Sequence, residues 1–306
     1  MPKDAGGSVL IVAGATASGK TQLAIDLAHE FDAEIVGADS RQIYRAMPIG
    51  TAAPSPEQLA AIPHHLIGFL EPRERYSAAR YAHDAIEAVA KIHARGKRAI
   101  VAGGTGFYIR ALTGGVTLAP HYDEALRARL AREALLHPPE FLYGWLEQRD
   151  PARARALHAS DTYRVLRALE IALAKPATRV RQEPRRTLES EGVPWTLVFL
   201  DVPWGAIDRR IAARARSMVA AGLVEEAERV GGDAVAASAV GYPQALAFLR
   251  GWSTRAELCD SLERATRRYA RRQRAWFRGE PATLWIAPEL VGAVAREKLG
   301  WSTKRK

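Results

Sequence analysis

Cysteine, long apolar runs and internal repeats are what this 306-residue chain lacks. Its one cysteine, Cys259, excludes an internal disulfide and a cysteine-based zinc site, and without an activating neighbour it is interpreted as a small core residue. No apolar run approaches the roughly 18 residues of a membrane-spanning helix, and the first residues lack the apolar core of a signal peptide. We therefore expect a cytoplasmic protein with no membrane partner.

Acidic side chains are also in deficit, with 34 Asp and Glu residues against 44 Lys and Arg, which gives a formal charge of +10. This excess favours a polyanionic partner, although solubility alone could account for it. With 48% hydrophobic and 25% charged residues, the composition excludes a disordered or collagen-like chain. The length is enough for one large domain or two moderate ones.

Strand-like and helix-like segments alternate through the first third of the chain. The predicted elements are a strand over 8–13, a helix over 21–30, a strand over 34–38, a helix that Ser77 caps and Gly96 ends, and a strand over 98–102. This alternation predicts a parallel sheet with right-handed crossovers.

The composition changes after Pro120. Residues from about 121 to 180 are rich in Ala, Arg, Leu and Glu and hold no strand-like run, which predicts two or three helices with breaks at Pro138-Pro139 and Asp150-Pro151. Strand patterns return at 196–201 and 283–286. We predict an α/β core over 1–119 and 188–306, interrupted by an all-helical insertion over 120–187.

A glycine-rich loop between the first strand and the first helix fits the P-loop pattern G-x-x-x-x-G-K-[ST]. Its residues are Gly14, Ala15, Thr16, Ala17, Ser18, Gly19, Lys20 and Thr21. Backbone N–H groups of such a loop curl around a phosphate, the lysine neutralises phosphate charge, and the threonine hydroxyl holds Mg²⁺. We therefore predict a phosphate site and a P-loop NTPase-like sheet.

The acidic residue that an ordinary P-loop ATPase carries after a core strand is missing at the expected place. The strand over 98–102 ends in Gly103-Gly104-Thr105, without a carboxylate, and the strand that ends in Asp201 lies far along the chain. ATP hydrolysis is therefore not the obvious use of this loop.

Two other strand ends carry candidate catalytic residues. Asp39 follows the second strand and Thr105 follows the third. Both therefore lie at the carboxyl ends of parallel strands, where such sheets bind ligands. Asp39 is interpreted as a general base beside the phosphate, with a turn aspartate as the alternative. The segment Gly103 to Gly106 lets backbone approach closely and Thr105 can donate to a phosphate oxygen, although alone it is only a turn.

Two further features have structural explanations beside functional ones. The adjacent pair His64 and His65 points its side chains apart, so two-point metal binding is not expected, and we interpret the pair as structural or loop contacts. The segment from Arg264 to Arg278 carries seven arginines, with aromatic residues between them. It favours RNA binding, but a basic surface helix with its aromatics in the core also explains much of it.

At this point the sequence resembles the bacterial tRNA dimethylallyltransferases, also called tRNA isopentenyltransferases. The motifs run in family order over nearly the whole chain: Gly14 to Thr21, Ala38 to Arg45, Ile49 to Ala52, Pro63 to Ile67, Gly103 to Tyr108, Arg164 to Glu170, Val240 to Tyr242 and Arg271 to Arg278. Together they are far more specific than the P-loop alone.

The resemblance implies transfer of a dimethylallyl group from its diphosphate to N6 of the adenosine 3′ of the anticodon, in tRNAs that read U-initial codons. It implies that the P-loop, Gly14 to Thr21, binds the prenyl diphosphate, that Mg²⁺ is required with Thr21 as its ligand, and that Asp39, Thr105 and Arg214 are catalytic. It places the tRNA anticodon stem-loop on the helical insertion and on Asp39, Ser40, Arg41, Gln42, Thr105, Arg127, Tyr163, Arg164, Arg167, Gly241, Tyr242, Arg271, Gln273, Arg274 and Arg278. We expect a monomer.

Five positions depart from the family pattern. They are Ala15 for proline, Pro48 for aspartate, Ala53 for lysine, Gly68 for aspartate and Ser160 for asparagine. We expect the backbone of the phosphate loop to tolerate Ala15. Because none of the five is Lys20, Thr21, Asp39 or Thr105, we expect the departures to affect some peripheral tRNA contacts and not the reaction.

Other functions remain compatible with the P-loop. A small-molecule kinase, or an enzyme that prenylates free adenine nucleotides, would leave the basic C-terminal segment and the helical insertion with little to do. An RNA-binding protein with a vestigial P-loop would have no need of an intact Lys20, Thr21 and Asp39. The acceptor of the prenyl group, tRNA or a free nucleotide, distinguishes these alternatives.

Overall fold

The computed structural model describes residues 7–115, 123–174 and 186–303, and the structural statements below refer to these residues. The strands are β1 (Val9–Ala13), β2 (Ala33–Ala38), β3 (His64–His65), β4 (Arg98–Gly103), β5 (Trp195–Leu200) and β6 (Thr283–Ile286). The α-helices are α1 (Lys20–Phe31), α2 (Pro56–Ala61), α3 (Ala78–Ala94), α4 (Gly106–Thr113), α5 (Glu124–Leu136), α6 (Pro139–Arg149), α7 (Pro151–Arg155), α8 (Thr162–Leu173), α9 (Trp204–Ala220), α10 (Leu223–Val230), α11 (Tyr242–Leu249), α12 (Arg255–Arg278) and α13 (Val291–Leu299).

The strands form one parallel sheet in the order β3-β2-β4-β1-β5-β6. Central β1 pairs with β4, where Val9 lies opposite Ala99, and with β5, where Val9 lies opposite Trp195. Every residue of β1 and β2 is buried, as expected for parallel strands that are covered on both faces. The carboxyl ends of these parallel strands lie side by side, so the loops after β1, β2 and β4 are neighbours at that end of the sheet.

The predicted α/β fold is confirmed. The strands predicted at 8–13, 34–38, 98–102, 196–201 and 283–286 are present within one residue at each end. Ser77 caps α3 by accepting a hydrogen bond from the Arg80 amide. The histidine pair is structural, as interpreted, but it forms the short strand β3 beside β2 and not a loop, with His65 opposite Val36.

The described residues divide into two compact units, 7–115 with 186–303, and 123–174. The second unit is all helical and has its own apolar core, which includes Leu130, Leu146 and Leu169. Its described residues contain four helices, whereas two or three were predicted, because the short helix α7 was not expected. Pro139 and Pro151 begin α6 and α7, so both predicted breaks are helix starts. The assignment of this unit to tRNA binding stays a prediction.

Within the larger unit, an apolar cluster joins the segment after β2 to α9, α10, α11 and α12. Its members include Met47 and Leu223, both with no exposed surface, and Cys259 packs against it partly buried. The interpretation of Cys259 as a core residue therefore agrees with its position. This cluster places α10 and α11 beside the loop that leads from β2 to the ligand edge of the sheet.

Candidate active site

The phosphate loop lies between β1 and α1, as predicted. Gly19 has φ +93°, a backbone conformation that favours glycine, and α1 begins at Lys20. The Ser18 amide donates to the Ala15 carbonyl at 3.1 Å, and Lys20 Nζ donates to the same oxygen at 2.8 Å. The loop thus closes on the Ala15 carbonyl, and the departure from proline at this position leaves that closure in place.

A cavity of about 370 Å³ opens beside the loop, and we call it the phosphate cavity. It brings together Lys20, Thr21, Asp39 and Arg214, four of the residues predicted for the reaction. The other lining residues are Thr16, Ala17, Gly19, Gln22, Gln42, Thr51, Ala52, Ala53, Gln58, Ala102, Gly103 and Gln273. The remaining loop residues Gly14, Ala15 and Ser18 are buried and do not line it.

Lys20 gives the phosphate cavity a titratable cation. Burial lowers the pKa of Lys20 to about 8, while the nearby Asp39 carboxylate raises this pKa and the Arg214 guanidinium lowers it. A bound diphosphate would bring negative charge to the ammonium group and stabilise its protonated form. The electrostatics of the cavity therefore suit an anionic ligand.

Asp39 directly follows β2, where its Oδ1 accepts a hydrogen bond from the Arg41 amide at 2.9 Å. This contact is a turn of the kind that the alternative interpretation predicted. The residue nevertheless lines the phosphate cavity. The two interpretations are compatible, because one carboxylate oxygen holds the turn while the residue faces space for a ligand.

Thr105 lies at the start of α4 and is fixed to the turn that contains Asp39. Its Oγ1 accepts a hydrogen bond from the Ser40 amide at 2.9 Å, and its own amide donates to the Ala38 carbonyl at 3.1 Å. The close approach of the two loops requires glycine at Gly103, where a Cβ atom would lie 2.1 Å from the Ala38 carbonyl oxygen. The structure therefore joins Thr105 to the turn that contains Asp39, although Thr105 lines neither the phosphate cavity nor the second cavity that adjoins it.

Two arginines one turn apart on α9 hold the outer side of the phosphate loop. Arg214 Nη1 donates to Thr16 Oγ1 at 3.4 Å, and Arg210 Nη1 donates to the Ser18 carbonyl at 3.2 Å. Burial, together with neighbouring Arg210, lowers the pKa of Arg214. Sequence reasoning identified Arg214 and missed Arg210, although the i, i+4 spacing on one helix face was a signal for the pair.

A second cavity of about 240 Å³, which we call the acceptor cavity, adjoins the first. Thr16, Asp39, Thr51, Ala52 and Arg214 line both cavities. The rest of its lining is Ser40, Arg41, Gly50, Ile211, Ala215, Met218, Ser238, Ala239, Val240, Leu262, Thr266, Tyr269 and Arg272.

Tyr269 of α12 is a site residue that sequence reasoning missed, whereas Arg272 lies within the family motif Arg271 to Arg278. Both line the acceptor cavity, and the Arg272 guanidinium lies 5.8 Å from the centre of the Tyr269 ring. Burial, and then the Asp39 carboxylate, raise the pKa of Tyr269, and its hydroxyl interacts with Thr105. The sequence suggested that the aromatic residues of this segment contact RNA or pack in the core, whereas Tyr269 lines the acceptor cavity.

Gln273 is buried, and both ends of its amide are occupied. Its Oε1 accepts a hydrogen bond from the Thr16 amide at 2.7 Å, and its Nε2 donates to the Gly104 carbonyl at 2.9 Å. A Cβ atom at Gly104 would lie 2.1 Å from that Nε2 atom. The tRNA contact predicted for Gln273 is not supported by its position, because the side chain joins two loops of the site.

The arginines predicted for tRNA on α12 fall into two groups. Arg271 and Arg278 are exposed, each with its guanidinium near a tryptophan ring, at 5.1 and 5.9 Å from the ring centre. Arg274 is mostly buried, donates to the Val202 carbonyl at 3.1 Å and forms an ion pair with Asp201 at 3.0 Å. Arg271 and Arg278 are therefore available to an external anion, whereas Arg274 holds the end of β5.

Gly241 and Tyr242 lie at the start of α11, where Gly241 has φ +109°. Tyr242 has no exposed surface, and its hydroxyl donates to Glu226 Oε1 at 2.7 Å. A fully buried tyrosine cannot contact tRNA in this arrangement, so the contact predicted for Tyr242 is not supported. The other predicted tRNA residues of the larger unit, Ser40, Arg41 and Gln42, line one or the other cavity.

The helical unit carries the remaining predicted tRNA residues on α5 and α8. Tyr163 and Arg164 are exposed, and Arg164 lies 3.4 Å from Asp161. Arg127 is half-buried, and Arg167 forms an ion pair with buried Glu170 at 2.8 Å. The tRNA contacts of this unit stay predictions.

The departures from the family pattern differ in their positions. Ala53 lines the phosphate cavity, so this departure is not confined to a peripheral tRNA contact. Pro48 is exposed and its carbonyl accepts a hydrogen bond from the Ala53 amide at 3.0 Å. Gly68 has φ +60° with open space around it, and Ser160 Oγ lies 2.7 Å from His158 Nδ1 in the helical unit.

The donors for a metal ion are few. Among residues 7–115, 123–174 and 186–303, no group of three or more His, Cys, Asp or Glu side chains is placed to hold one. Thr21 and Asp39 line the phosphate cavity together. This set fits Mg²⁺ that arrives with a diphosphate, because Mg²⁺ keeps several waters and takes few protein ligands beside substrate phosphates.

In the described part of the chain, no helix combines the length and apolar character needed to cross a membrane. The model of the IPP transferase family matches residues 42–280. The chain is 45% identical to the tRNA dimethylallyltransferase of Anaeromyxobacter dehalogenans over 92% of its length and 95% of the relative's. It is 42% identical to that of Myxococcus xanthus over 93% of its length and 94% of the relative's.

Among solved structures, the tRNA isopentenylpyrophosphate transferase of Bacillus halodurans matches with a TM-score of 0.68 and 30% identity, over 96% of this chain and 97% of that one. A eukaryotic dimethylallyltransferase acting on tRNA shares the fold, with a TM-score of 0.69 and 24% identity over 96% of this chain and 77% of that one. The chain belongs to the IPP transferase family, whose members in these comparisons are the tRNA dimethylallyltransferases.

Proposed function

We propose that the chain transfers a dimethylallyl group from dimethylallyl diphosphate to N6 of the adenosine on the 3′ side of the anticodon, in tRNAs that read codons beginning with U. The observation that carries this proposal is the wall common to the two cavities, which includes Thr16, Asp39 and Arg214. A diphosphate ester in the phosphate cavity can present its carbon chain to an acceptor in the adjoining one.

The diphosphate would bind to the backbone N–H groups of the phosphate loop, with Lys20 and Arg214 as its cationic partners. Negative charge on the diphosphate grows as the bond between C1 of the dimethylallyl group and its oxygen breaks. Fixed cations and N–H groups at that place stabilise the departing group more than the ground state. The chain thereby makes C1 of the dimethylallyl group electrophilic enough to react with a weak nucleophile.

The adenine amino group is a weak nucleophile because its lone pair is delocalised into the ring. As N6 bonds to C1, the diphosphate leaves with the electron pair of the broken C1–O bond, and N6 loses a proton. We assign that proton to the carboxylate of Asp39, which the Arg41 amide holds in place. Thr105, which lines neither cavity but is fixed to the Ser40 amide, would help to hold the turn that carries Asp39 beside the acceptor.

The acceptor cavity has the chemistry to receive both reacting groups. Its apolar residues, among them Ile211, Met218 and Leu262, suit the five-carbon dimethylallyl group. The Tyr269 ring and the Arg272 guanidinium offer an aromatic face and a cation to a nucleotide. The adenine must leave the stack of its loop to reach Asp39, as bases do in other enzymes that modify them.

Mg²⁺, where bound, would be held by the Thr21 hydroxyl and the diphosphate oxygens near Asp39, and would neutralise charge on the leaving group. The exposed arginines of α12 and the helical unit would hold the rest of the tRNA, which supports a polynucleotide over a free nucleotide as the acceptor. We further propose that the protein acts as a monomer in the cytoplasm.

The test is to incubate the purified protein with dimethylallyl diphosphate and Mg²⁺ and to offer unmodified tRNA, AMP and ADP as parallel acceptors. Digested tRNA would be analysed by mass spectrometry for a dimethylallyl-sized gain on adenosine. A gain on tRNA alone is expected. Prenylated AMP or ADP without prenylated tRNA would overturn the choice of acceptor and leave the diphosphate site in place.

A further inference from the structure

Glu226 is a fully buried carboxylate on α10 that takes no part in the reaction described above. Its Oε2 accepts a hydrogen bond from the Ile49 amide at 2.9 Å, and its Oε1 accepts one from the Gly50 amide at 2.7 Å. The Tyr242 hydroxyl donates to Oε1 at 2.7 Å. One carboxylate therefore joins the sequence motifs Ile49 to Ala52 and Val240 to Tyr242, to which the catalytic argument gave no role.

The loop over residues 47–53 is held from its other side as well. Gln42 Nε2 donates to the carbonyls of Thr51 and Ala52, at 3.2 and 2.9 Å. Within the loop, Thr51 Oγ1 donates to the Met47 carbonyl at 2.6 Å. The amides of the loop thus bind Glu226, and its carbonyls bind Gln42.

This loop forms part of the wall between the two cavities. Thr51 and Ala52 line both of them, and Gly50 lines the acceptor cavity. A Cβ atom at Gly50 would lie 2.6 Å from the Tyr242 ring, so the loop is packed against the pair formed by Glu226 and Tyr242. A movement of the loop would change the space in which the prenyl carbon and the acceptor nitrogen meet.

Burial of Glu226 carries a desolvation cost that a purely apolar contact would avoid. The three groups that bind Glu226 are neutral N–H and O–H donors. They compensate for the lost hydration of the carboxylate only when each donor is held pointing at its oxygen. Such an arrangement fixes the backbone of residues 49–50 in a way that an apolar side chain could not. We take this loss of freedom in the loop as the function of the buried charge.

We propose that Glu226, with Tyr242, is a positioning residue for prenyl transfer: it fixes loop 47–53 and so sets the alignment of donor and acceptor across their common wall. The inference rests on the proposed function. Because the cationic partners proposed for the diphosphate lie in the phosphate loop and on α9, we expect loss of this contact to lower the rate of transfer and to leave diphosphate binding nearly unchanged. A misplacement of the reacting groups by about 1 Å can lower a rate about a hundredfold.

The test compares Glu226→Gln with Glu34→Gln. Glu34 is also buried and is bonded to Arg95 and His65, but it is the second residue of β2 and lies near the amino end of that strand, whereas Asp39 follows its carboxyl end. Each protein would be assayed for single-turnover transfer to tRNA, for the dissociation constant of dimethylallyl diphosphate and for its melting temperature. Glu226→Gln should slow transfer by about ten- to a hundredfold with diphosphate affinity within about twofold of the parent. Glu34→Gln should lose thermal stability and keep its transfer rate.

Equal transfer rates for Glu226→Gln and the parent, or a parallel loss of rate in both variants, would overturn the inference. If Glu226→Gln does not fold, Tyr242→Phe decides, since it removes one of the three hydrogen bonds and keeps the ring. It should lower the transfer rate several-fold at unchanged diphosphate affinity, and an unchanged rate would overturn the inference. Failure of the proposed function is distinct, because the unmodified protein would then not prenylate tRNA at all.

Discussion

Gln273 Oε1 accepts a hydrogen bond from the Thr16 amide at 2.7 Å, which ties helix α12 to the phosphate loop. The other end of the same side chain donates to the Gly104 carbonyl, so one residue joins α12 to the loops after β1 and β4. The Thr16 amide is thereby occupied by the protein, so the proposed diphosphate would bind the remaining amides of the loop. The helix that carries the exposed arginines is therefore in direct contact with the phosphate loop.

Diphosphate binding should depend on pH through Lys20. The pKa of Lys20 is about 8 because burial lowers it, more than Asp39 raises it, and Arg214 lowers it further. A bound diphosphate raises this pKa, so above pH 8 binding must take up a proton, and affinity should fall by up to about tenfold per pH unit. Below pH 8 the Lys20 contribution should be constant.

The measurement is the dissociation constant of dimethylallyl diphosphate between pH 7 and 9.5, without tRNA. Lys20→Met should bind more weakly and lack the bend near pH 8. An affinity of the parent that stays constant to pH 9.5 would contradict this role for Lys20.

Charge reversal on α12 should have different effects at neighbouring arginines. Arg278→Glu replaces an exposed cation with an anion and should weaken tRNA binding. The plot of log affinity against log salt concentration should become less steep by about one unit or more, with little change in melting temperature. Arg274→Glu places a second carboxylate beside Asp201 and should lower the melting temperature. Arg255→Glu, the same charge change at the exposed start of α12, is the control.

The salt dependence of tRNA binding would be measured for these three variants and the parent. A salt slope for Arg278→Glu that equals those of the parent and of Arg255→Glu would remove this end of α12 from the tRNA interface.

A lysine at position 53 should strengthen diphosphate binding. Ala53 lines the phosphate cavity, where the family pattern has a lysine. An added ammonium group near the diphosphate should contribute about 1 kcal/mol, or roughly a fivefold lower dissociation constant. Ala53→Met is the control for side-chain length, and equal affinities of the two variants would show that charge at this position has no influence.

Local sequence patterns were enough to predict the strands and the phosphate loop. They also predicted that Asp39 and Thr105 follow strands of the sheet. Apolar runs of strand length and glycine at fixed spacing identify these elements within a few residues of sequence. The rule that ligands bind at the carboxyl ends of parallel strands then places Asp39 and Thr105 together. Their contact through Ser40 follows that expectation.

The inward position of Gln273 and the role of Glu226 could not be predicted, because both depend on partners far along the chain. Glu226 binds residues 176 and 177 positions away, and Gln273 binds Thr16, 257 positions away. For Gln273 a weak signal existed, since it lies three residues after Ala270 and four before Phe277, both buried on one face of α12. The many arginines around Gln273 instead favoured its assignment to a solvent-exposed surface that binds tRNA.

The most direct test of the account is the single-turnover rate of prenyl transfer by Asp39→Asn. This change keeps an oxygen that can accept the Arg41 amide and removes the proton acceptor. We predict a rate lower by about two to four orders of magnitude, with dissociation constants for tRNA and for dimethylallyl diphosphate close to those of the parent. A transfer rate equal to that of the parent would contradict the assignment of Asp39 as the base at the wall between the two cavities.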